Sequence, residues 1–103
     1  MTQWYDEDAG QFLKTGIGSE WTFTVKEVRK ITTGDPKFHY KRKDGTDLGY
    51  HHELVTDDNA IYTVNTFALK RALGEKEVVE GSHITIKHPA RGIYDITLHN
   101  VNI

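Results

Sequence analysis

The segment Trp21–Ile31, with the sequence WTFTVKEVRKI, decides the fold that this chain of 103 residues is predicted to adopt. Its first apolar residues, Trp21, Phe23 and Val25, are separated by single threonines. Successive side chains of a β-strand point to opposite faces, so this spacing indicates a strand with one buried face. We predict a first strand whose apolar face, including Trp21, enters the core.

The alternation ends after Val25. The next apolar residues, Val28 and Ile31, no longer follow the two-residue spacing. A β-bulge near Lys26-Glu27 would return these side chains to the interior, because a bulge adds a residue to one strand and bends it. A long, bent first strand is what a small closed sheet requires.

A basic ribbon is predicted between the first two strands. Residues 37–43 and 48–55 flank Asp44-Gly45, a dipeptide that closes hairpins because glycine tolerates a positive φ. The prediction is an extended hairpin that links the first strand to the second.

The apolar spacing becomes helical in one place. Leu69 and Leu73 lie on one face of a short predicted helix. Asn65 or Thr66 would cap its N-terminus, and Gly74 suits the left-handed position after its last turn.

Three further strands are predicted at Ala60–Val64, Ile84–Ile86 and Tyr94–Leu98. Five principal strands with one helix between the third and the fourth is the order of the OB-fold, a small Greek-key barrel. An SH3-like barrel is the nearest alternative, but it has no place for a helix at that point. We therefore predict one all-β domain over residues 1–103, a five-stranded OB-fold barrel with one short helix, in which residues 1–10 form a flexible acidic arm.

Composition restricts the class of protein. The chain has no cysteine, which excludes disulfides and thiolate metal sites. Lys and Arg number 13 against 15 Asp and Glu, so any attraction for a polyanion must come from local clustering of charge. Neither a signal peptide nor an apolar run of about 20 residues is evident. The expected location is the cytoplasm.

Three stretches resemble the small phage-type OB-fold single-stranded-DNA-binding proteins. They are QFLKTGIGSEWTFTVKEV at 11–28, YTVNTFALKRALG at 62–74 and EGSHITIKH at 80–88. In that family an fLK entry precedes the long first strand, an asparagine opens the helix and a glycine precedes the fourth strand. The resemblance implies single-stranded DNA as the ligand, a role in DNA replication or recombination, and a phage protein that acts in the host cell. RNA as the ligand and a homo-oligomeric state stay open.

Barrels of this kind bind polymers between the loop that joins strands one and two and the loop that joins strands four and five. Both predicted loops are cationic. Such side chains attract phosphates, while aromatic rings stack bases at about 1–3 kcal/mol each, whatever the base. The predicted nucleic-acid-binding residues are the cations Lys37, Lys41, Arg42, Lys43, Lys87 and Arg91 and the rings of Phe38, Tyr40, Tyr50 and Tyr62.

These features also have a structural interpretation. Lysines on a hairpin edge prevent edge-to-edge pairing, and the rings of Phe38 and Tyr40 could cover one end of the barrel. A structural or adaptor barrel that mediates protein–protein assembly is therefore the alternative function. No glycine-rich phosphate loop, serine–histidine elbow or His-Glu-x-x-His motif occurs, so neither catalytic residues nor an enzyme are predicted.

Six histidines raise the question of a metal site. His51 and His52 are adjacent and would point to opposite faces of a strand. A hairpin loop over residues 44–47 places His39 opposite His52, whereas a loop of the central dipeptide alone places it opposite Tyr50. A zinc site normally needs three or four ligands, so no metal and no other cofactor are predicted.

Overall fold

The computed structural model of the chain describes residues 11–32 and 36–99. Its regular elements are five strands and one α-helix. A single 3₁₀ turn at Pro36–Phe38 lies between the first and the second strand. The elements are β1 at Glu20–Ile31, β2 at His51–Thr56, β3 at Ile61–Val64, α1 at Phe67–Glu75, β4 at His83–Ala90 and β5 at Ile93–Leu98.

All five strands form one antiparallel sheet in the order β3-β2-β1-β4-β5. β1 is central because its two halves have different partners: residues 20–24 pair with β4, and residues 25–31 pair with β2. The predicted all-β fold with one short helix is confirmed. Within the described residues β3 and β5 do not pair, so the sheet is not closed, and α1 packs against β5.

A bulge divides the two halves of β1. The pairing with β2 shifts register between Val25 and Glu27, which confirms the bulge predicted near Lys26-Glu27. After the shift Val28 lies opposite Leu54, a core residue, but its own side chain stays 40% exposed. The prediction that the bulge returns Val28 to the interior is therefore wrong, and Ile31 is half-buried.

The helix contributes Leu69 and Leu73 to the core and follows its predicted signals in part. Thr66 is the N-cap, and its hydroxyl accepts the Leu69 N–H at 3.2 Å. Gly74 was expected in the left-handed position, but that conformation belongs to Glu77, whose φ is 54°. The helix runs on through Glu75, and the N–H groups of Glu77 and Val78 then donate to the Gly74 and Leu73 carbonyls at 3.0 Å each. This is the pattern of a Schellman C-cap, and it moves the end of the helix beyond Gly74.

The predicted extended hairpin is shorter than expected. Residues 37–43 form no continuous strand, and Lys41 and Asp47 make an isolated bridge. The Arg42 N–H donates to the Thr46 carbonyl at 2.9 Å, so the tip is a tight turn over residues 43–45. Asp44 tightens this turn by accepting both the N–H and the hydroxyl of Thr46. Neither of the two predicted registers occurs, and the His39 ring lies beside His51.

Candidate nucleic-acid interface

The cations of the first loop lie on the tight turn and its stem, which we call the basic turn (residues 37–43). Lys37, Lys41, Arg42 and Lys43 are all exposed. Lys41 is partly neutralised, because its Nζ lies 2.7 Å from the Pro36 carbonyl oxygen and 3.8 Å from a carboxylate oxygen of Asp47. Arg42 and Lys43 form no ion pair within the described residues. They are therefore the two cations of the turn most available to a phosphate.

Two of the four predicted stacking rings are wrong. Tyr40 and Tyr62 are 0% exposed, and neither ring can meet a base without leaving the core. Tyr40 is stacked under Phe67 with 5.4 Å between ring centroids, and Tyr62 packs against Phe23 at 6.1 Å. Burial raises the pKa of both phenols.

The rings that remain accessible are those of Phe38 and Tyr50. Phe38 is 43% exposed, and Tyr50 is half-buried. Phe67 was not predicted as a site residue, yet it is 38% exposed while its inner face covers Tyr40. Tyr40 thus supports an aromatic surface from below.

Two lysines that sequence reasoning missed surround Tyr50. The Nζ of Lys30 lies 4.6 Å from the Tyr50 ring centroid, and the Nζ of Lys70 lies 5.5 Å from it and 3.3 Å from the phenol oxygen. Neither ammonium group has a carboxylate partner within the described residues. We call Lys30, Tyr50, Phe67 and Lys70 the cation–aromatic cluster.

The pairing of the strands explains why these residues meet. Lys30 lies opposite His52, and His52 lies opposite Val64, so the three side chains share one side of the sheet. The chain then enters α1 at Phe67, and residues three apart on a helix share a face. Phe67 and Lys70 are therefore presented together at the end of β3.

The pKa of His52 depends on its burial and on the positive charges of the cluster. The pKa of His52 is lowered first by burial and then by the charges of Lys70 and Lys30, with a smaller contribution from His51. Its Nδ1 shares a hydrogen bond of 2.8 Å with the Tyr40 hydroxyl. A lowered pKa favours the neutral imidazole, which can accept this bond from the phenol, and the bond holds the ring that supports Phe67.

The second predicted loop is shorter than expected. β4 extends to Ala90 and β5 begins at Ile93, so the loop is reduced to a turn at Arg91-Gly92. Lys87 pairs with Glu20 at the start of β1, whereas the basic turn follows the end of that strand.

The charges of this second loop are also offset. Lys87 lies between Glu20 on β1 and Asp95 on β5 in the strand register. Opposite charges facing each other across strands attract, which reduces the field that Lys87 offers to a ligand. No hydrogen bond, ion pair or ring contact within the described residues joins Lys87 or Arg91 to the cation–aromatic cluster, so their part in one shared binding surface stays a prediction.

Comparisons with protein-family models, with curated proteins and with solved structures give no match. In the two described ranges, no helix is both long and apolar enough to cross a membrane.

Proposed function

We propose that this chain binds single-stranded nucleic acid through the cation–aromatic cluster and the adjoining basic turn. The observation that supports this most directly is the environment of Tyr50, where two ammonium groups flank one accessible ring and no carboxylate of residues 11–32 or 36–99 pairs with them. A ring for a base and a cation for the adjacent phosphate is the combination that single-strand binders use.

Lys30 can serve both the free and the bound state. In the free protein its ammonium group lies over the Tyr50 face, where the ring quadrupole attracts it. Its side chain is exposed, so a base can take its place on the ring while the ammonium moves to a phosphate. Lys70 is held more firmly by the phenol oxygen and would keep its position.

Neither the stacking contact with the ring nor the lysine–phosphate contact depends on the identity of the base, so the proposed binding has little sequence preference. DNA is preferred to RNA on the resemblance alone, and the resemblance likewise supports a role in phage DNA replication or recombination in the host cytoplasm. With a net charge of −2, binding depends on the local field and should weaken steeply with salt.

The test is a fluorescence-anisotropy titration of labelled oligothymidine at several salt concentrations. Four phosphate contacts predict a slope of log K against log salt of about −2.8, which is a loss of roughly 50-fold between about 50 and about 200 mM salt. The Lys30→Ala/Lys70→Ala and Arg42→Ala/Lys43→Ala variants should each reduce this slope by about half.

Lys14→Ala is the matched control, because Lys14 is exposed and precedes the opposite end of β1. Its slope should equal that of the wild type. Equal affinity for a duplex and a single strand, or equal effects in all three variants, would refute the cluster as the binding surface.

An adaptor barrel is the second candidate. It is favoured by β5, which pairs with β4 on one side, pairs with no strand of the described residues on the other, and carries the exposed side chain of Ile93. Such an edge can pair with another chain. An adaptor would bind no oligonucleotide, and its association with itself or with a partner would weaken when Ile93 is changed to Lys.

A further inference from the structure

Phe67 presents a second accessible aromatic ring in the cation–aromatic cluster. One face of this ring is stacked on Tyr40, with 5.4 Å between centroids and 18° between planes. The side chain is nevertheless 38% exposed. Covering Tyr40 occupies only the inner face of the ring, and an aromatic ring that is open to solvent is a surface on which a base can stack.

Tyr40 joins the rings of Phe67 and Tyr50. It is stacked with Phe67, and it meets Tyr50 edge-on at 5.2 Å with 72° between planes. Tyr40 is 0% exposed, and its hydroxyl shares a hydrogen bond of 2.8 Å with His52 Nδ1, so it is a fixed support for both neighbours. Phe67 and Tyr50 therefore belong to one continuous aromatic surface.

The two accessible rings face different directions. Because Phe67 is nearly parallel to Tyr40 and Tyr50 is steeply inclined to it, the planes of Phe67 and Tyr50 are steeply inclined to each other. A base that stacks on a ring adopts the plane of that ring. Two bases on these rings would therefore be turned apart and could not stack on each other.

The ammonium group of Lys70 lies beside both ends of this surface. Lys70 is three residues from Phe67 on α1, so the two side chains project from one face of the helix. Its Nζ is 5.1 Å from the Tyr40 ring centroid and 5.5 Å from that of Tyr50. No carboxylate in the part of the chain that the structure describes pairs with it. The ammonium group is therefore placed to hold the phosphate that links two bases.

We infer that the cluster binds two consecutive nucleotides in an unstacked conformation, with one base on Tyr50, the next on Phe67 and the intervening phosphate on Lys70. Because this two-nucleotide site rests on the proposed function, its ligand is a single strand that can open one stacking step. A duplex cannot open the step without unpairing. A thymine run opens it more readily than an adenine run, whose bases stack more strongly, so the preference arises in the ligand and needs no base readout.

The experiment is photocrosslinking of the full chain to oligothymidine in which one central residue is replaced by 5-iododeoxyuridine, with mass spectrometry of the linked peptides. The iodinated base crosslinks efficiently to an aromatic ring on which it stacks. Crosslinks to both Phe67 and Tyr50 are expected. A bound oligonucleotide that gives no Phe67 crosslink would overturn the two-nucleotide site and leave the proposed function standing, whereas failure of oligothymidine to bind would refute both.

Phe67→Leu tests the same contact by affinity. Leucine keeps an apolar cover on Tyr40 but removes the ring, so affinity for oligothymidine should fall roughly 5- to 150-fold with no change in its salt dependence. Phe67→Tyr keeps the ring and should bind like the wild type. Because the two bases occupy separate rings, the losses in Phe67→Leu and Tyr50→Leu should multiply in the double variant. A double variant no weaker than Tyr50→Leu alone would show that Phe67 holds no base.

Phe12→Leu is the matched control. Phe12 is 63% exposed and pairs with Ile61 at the beginning of β3, whereas Phe67 follows the end of that strand, so this variant should bind like the wild type. Oligodeoxyadenylate gives the last readout. It should bind the wild type more weakly than oligothymidine of equal length, and the difference should shrink in Phe67→Leu, which needs no open step. A difference of the same size in both proteins would overturn the unstacked conformation.

Discussion

Replacing Tyr50 with leucine separates base stacking from charge attraction. The Tyr50 ring is half-buried and contacts Tyr40 edge-on at 5.2 Å and His52 at 5.5 Å between centroids. Leucine keeps an apolar side chain against these neighbours but has no aromatic face. Loss of one stacked base costs about 1–3 kcal/mol, which corresponds to roughly 5- to 150-fold in affinity for oligothymidine.

The salt dependence gives this prediction its discriminating power. Because Tyr50→Leu removes no charge, the slope of log K against log salt should equal that of the wild type while affinity falls at every salt concentration. Anisotropy titrations at about 50 and about 200 mM salt measure both quantities. An affinity within about twofold of the wild type, below the smallest stacking loss, would refute Tyr50 as the platform.

Tyr94→Leu is the matched control for the loss of a ring. Tyr94 is also half-buried, and it stacks on His88 with 4.2 Å between centroids, near the end of β4. If its replacement weakened binding as much as that of Tyr50, the ligand would lie across the second loop instead. Circular dichroism before each titration establishes that both variants are folded.

Three further predictions concern stability and pH. Glu77→Gly should raise the free energy of unfolding by about 1 kcal/mol in urea titrations, because glycine adopts the positive φ of Glu77 without strain; an unchanged or lower value would contradict the C-cap described above. Thr66→Ala should lower the free energy of unfolding by about 0.5–2 kcal/mol, since it removes the hydroxyl that accepts the Leu69 N–H, whereas Thr66→Ser should keep most of it. His52 has a lowered pKa, so the unfolded chain takes up its proton first as pH falls below about 6.5, and stability is lost down to the folded pKa. His52→Gln should therefore lose less stability than the wild type between neutral pH and about 5.5 in urea unfolding; an identical pH dependence would show that His52 is not responsible.

Much of the fold could be predicted because it depends on the spacing of apolar residues within short segments. The alternation before Val25 and its interruption by Val28 located both the first strand and its bulge. The end of the helix was missed because Gly74 is an adequate signal for a C-cap, and only the later hydrogen bonds show that Glu77 adopts the left-handed conformation instead. Tertiary packing of Val78, which is partly buried against the core, favours the later end.

The candidate site was predicted less well, since it depends on contacts between distant segments. The charge cluster in residues 37–43 identified the basic turn, but nothing in that stretch shows that Tyr40 points inward while Phe38 points outward. Nothing in the sequence distinguishes Lys30 and Lys70 from other surface lysines. They meet at Tyr50 only because β1 pairs with β2 and because α1 follows β3 directly.

The division of β1 between two partners makes the sheet a pair of leaflets with one shared strand. One leaflet holds residues 25–31 with β2 and β3, and the other holds residues 20–24 with β4 and β5. The two leaflets have separate strand pairing along β1, so we predict that the bulge is the boundary between two opening units. Native-state hydrogen exchange should sort the β1 amides into two groups with different opening free energies that meet at residues 25–27, and a single common value along the whole strand would show that the leaflets open together.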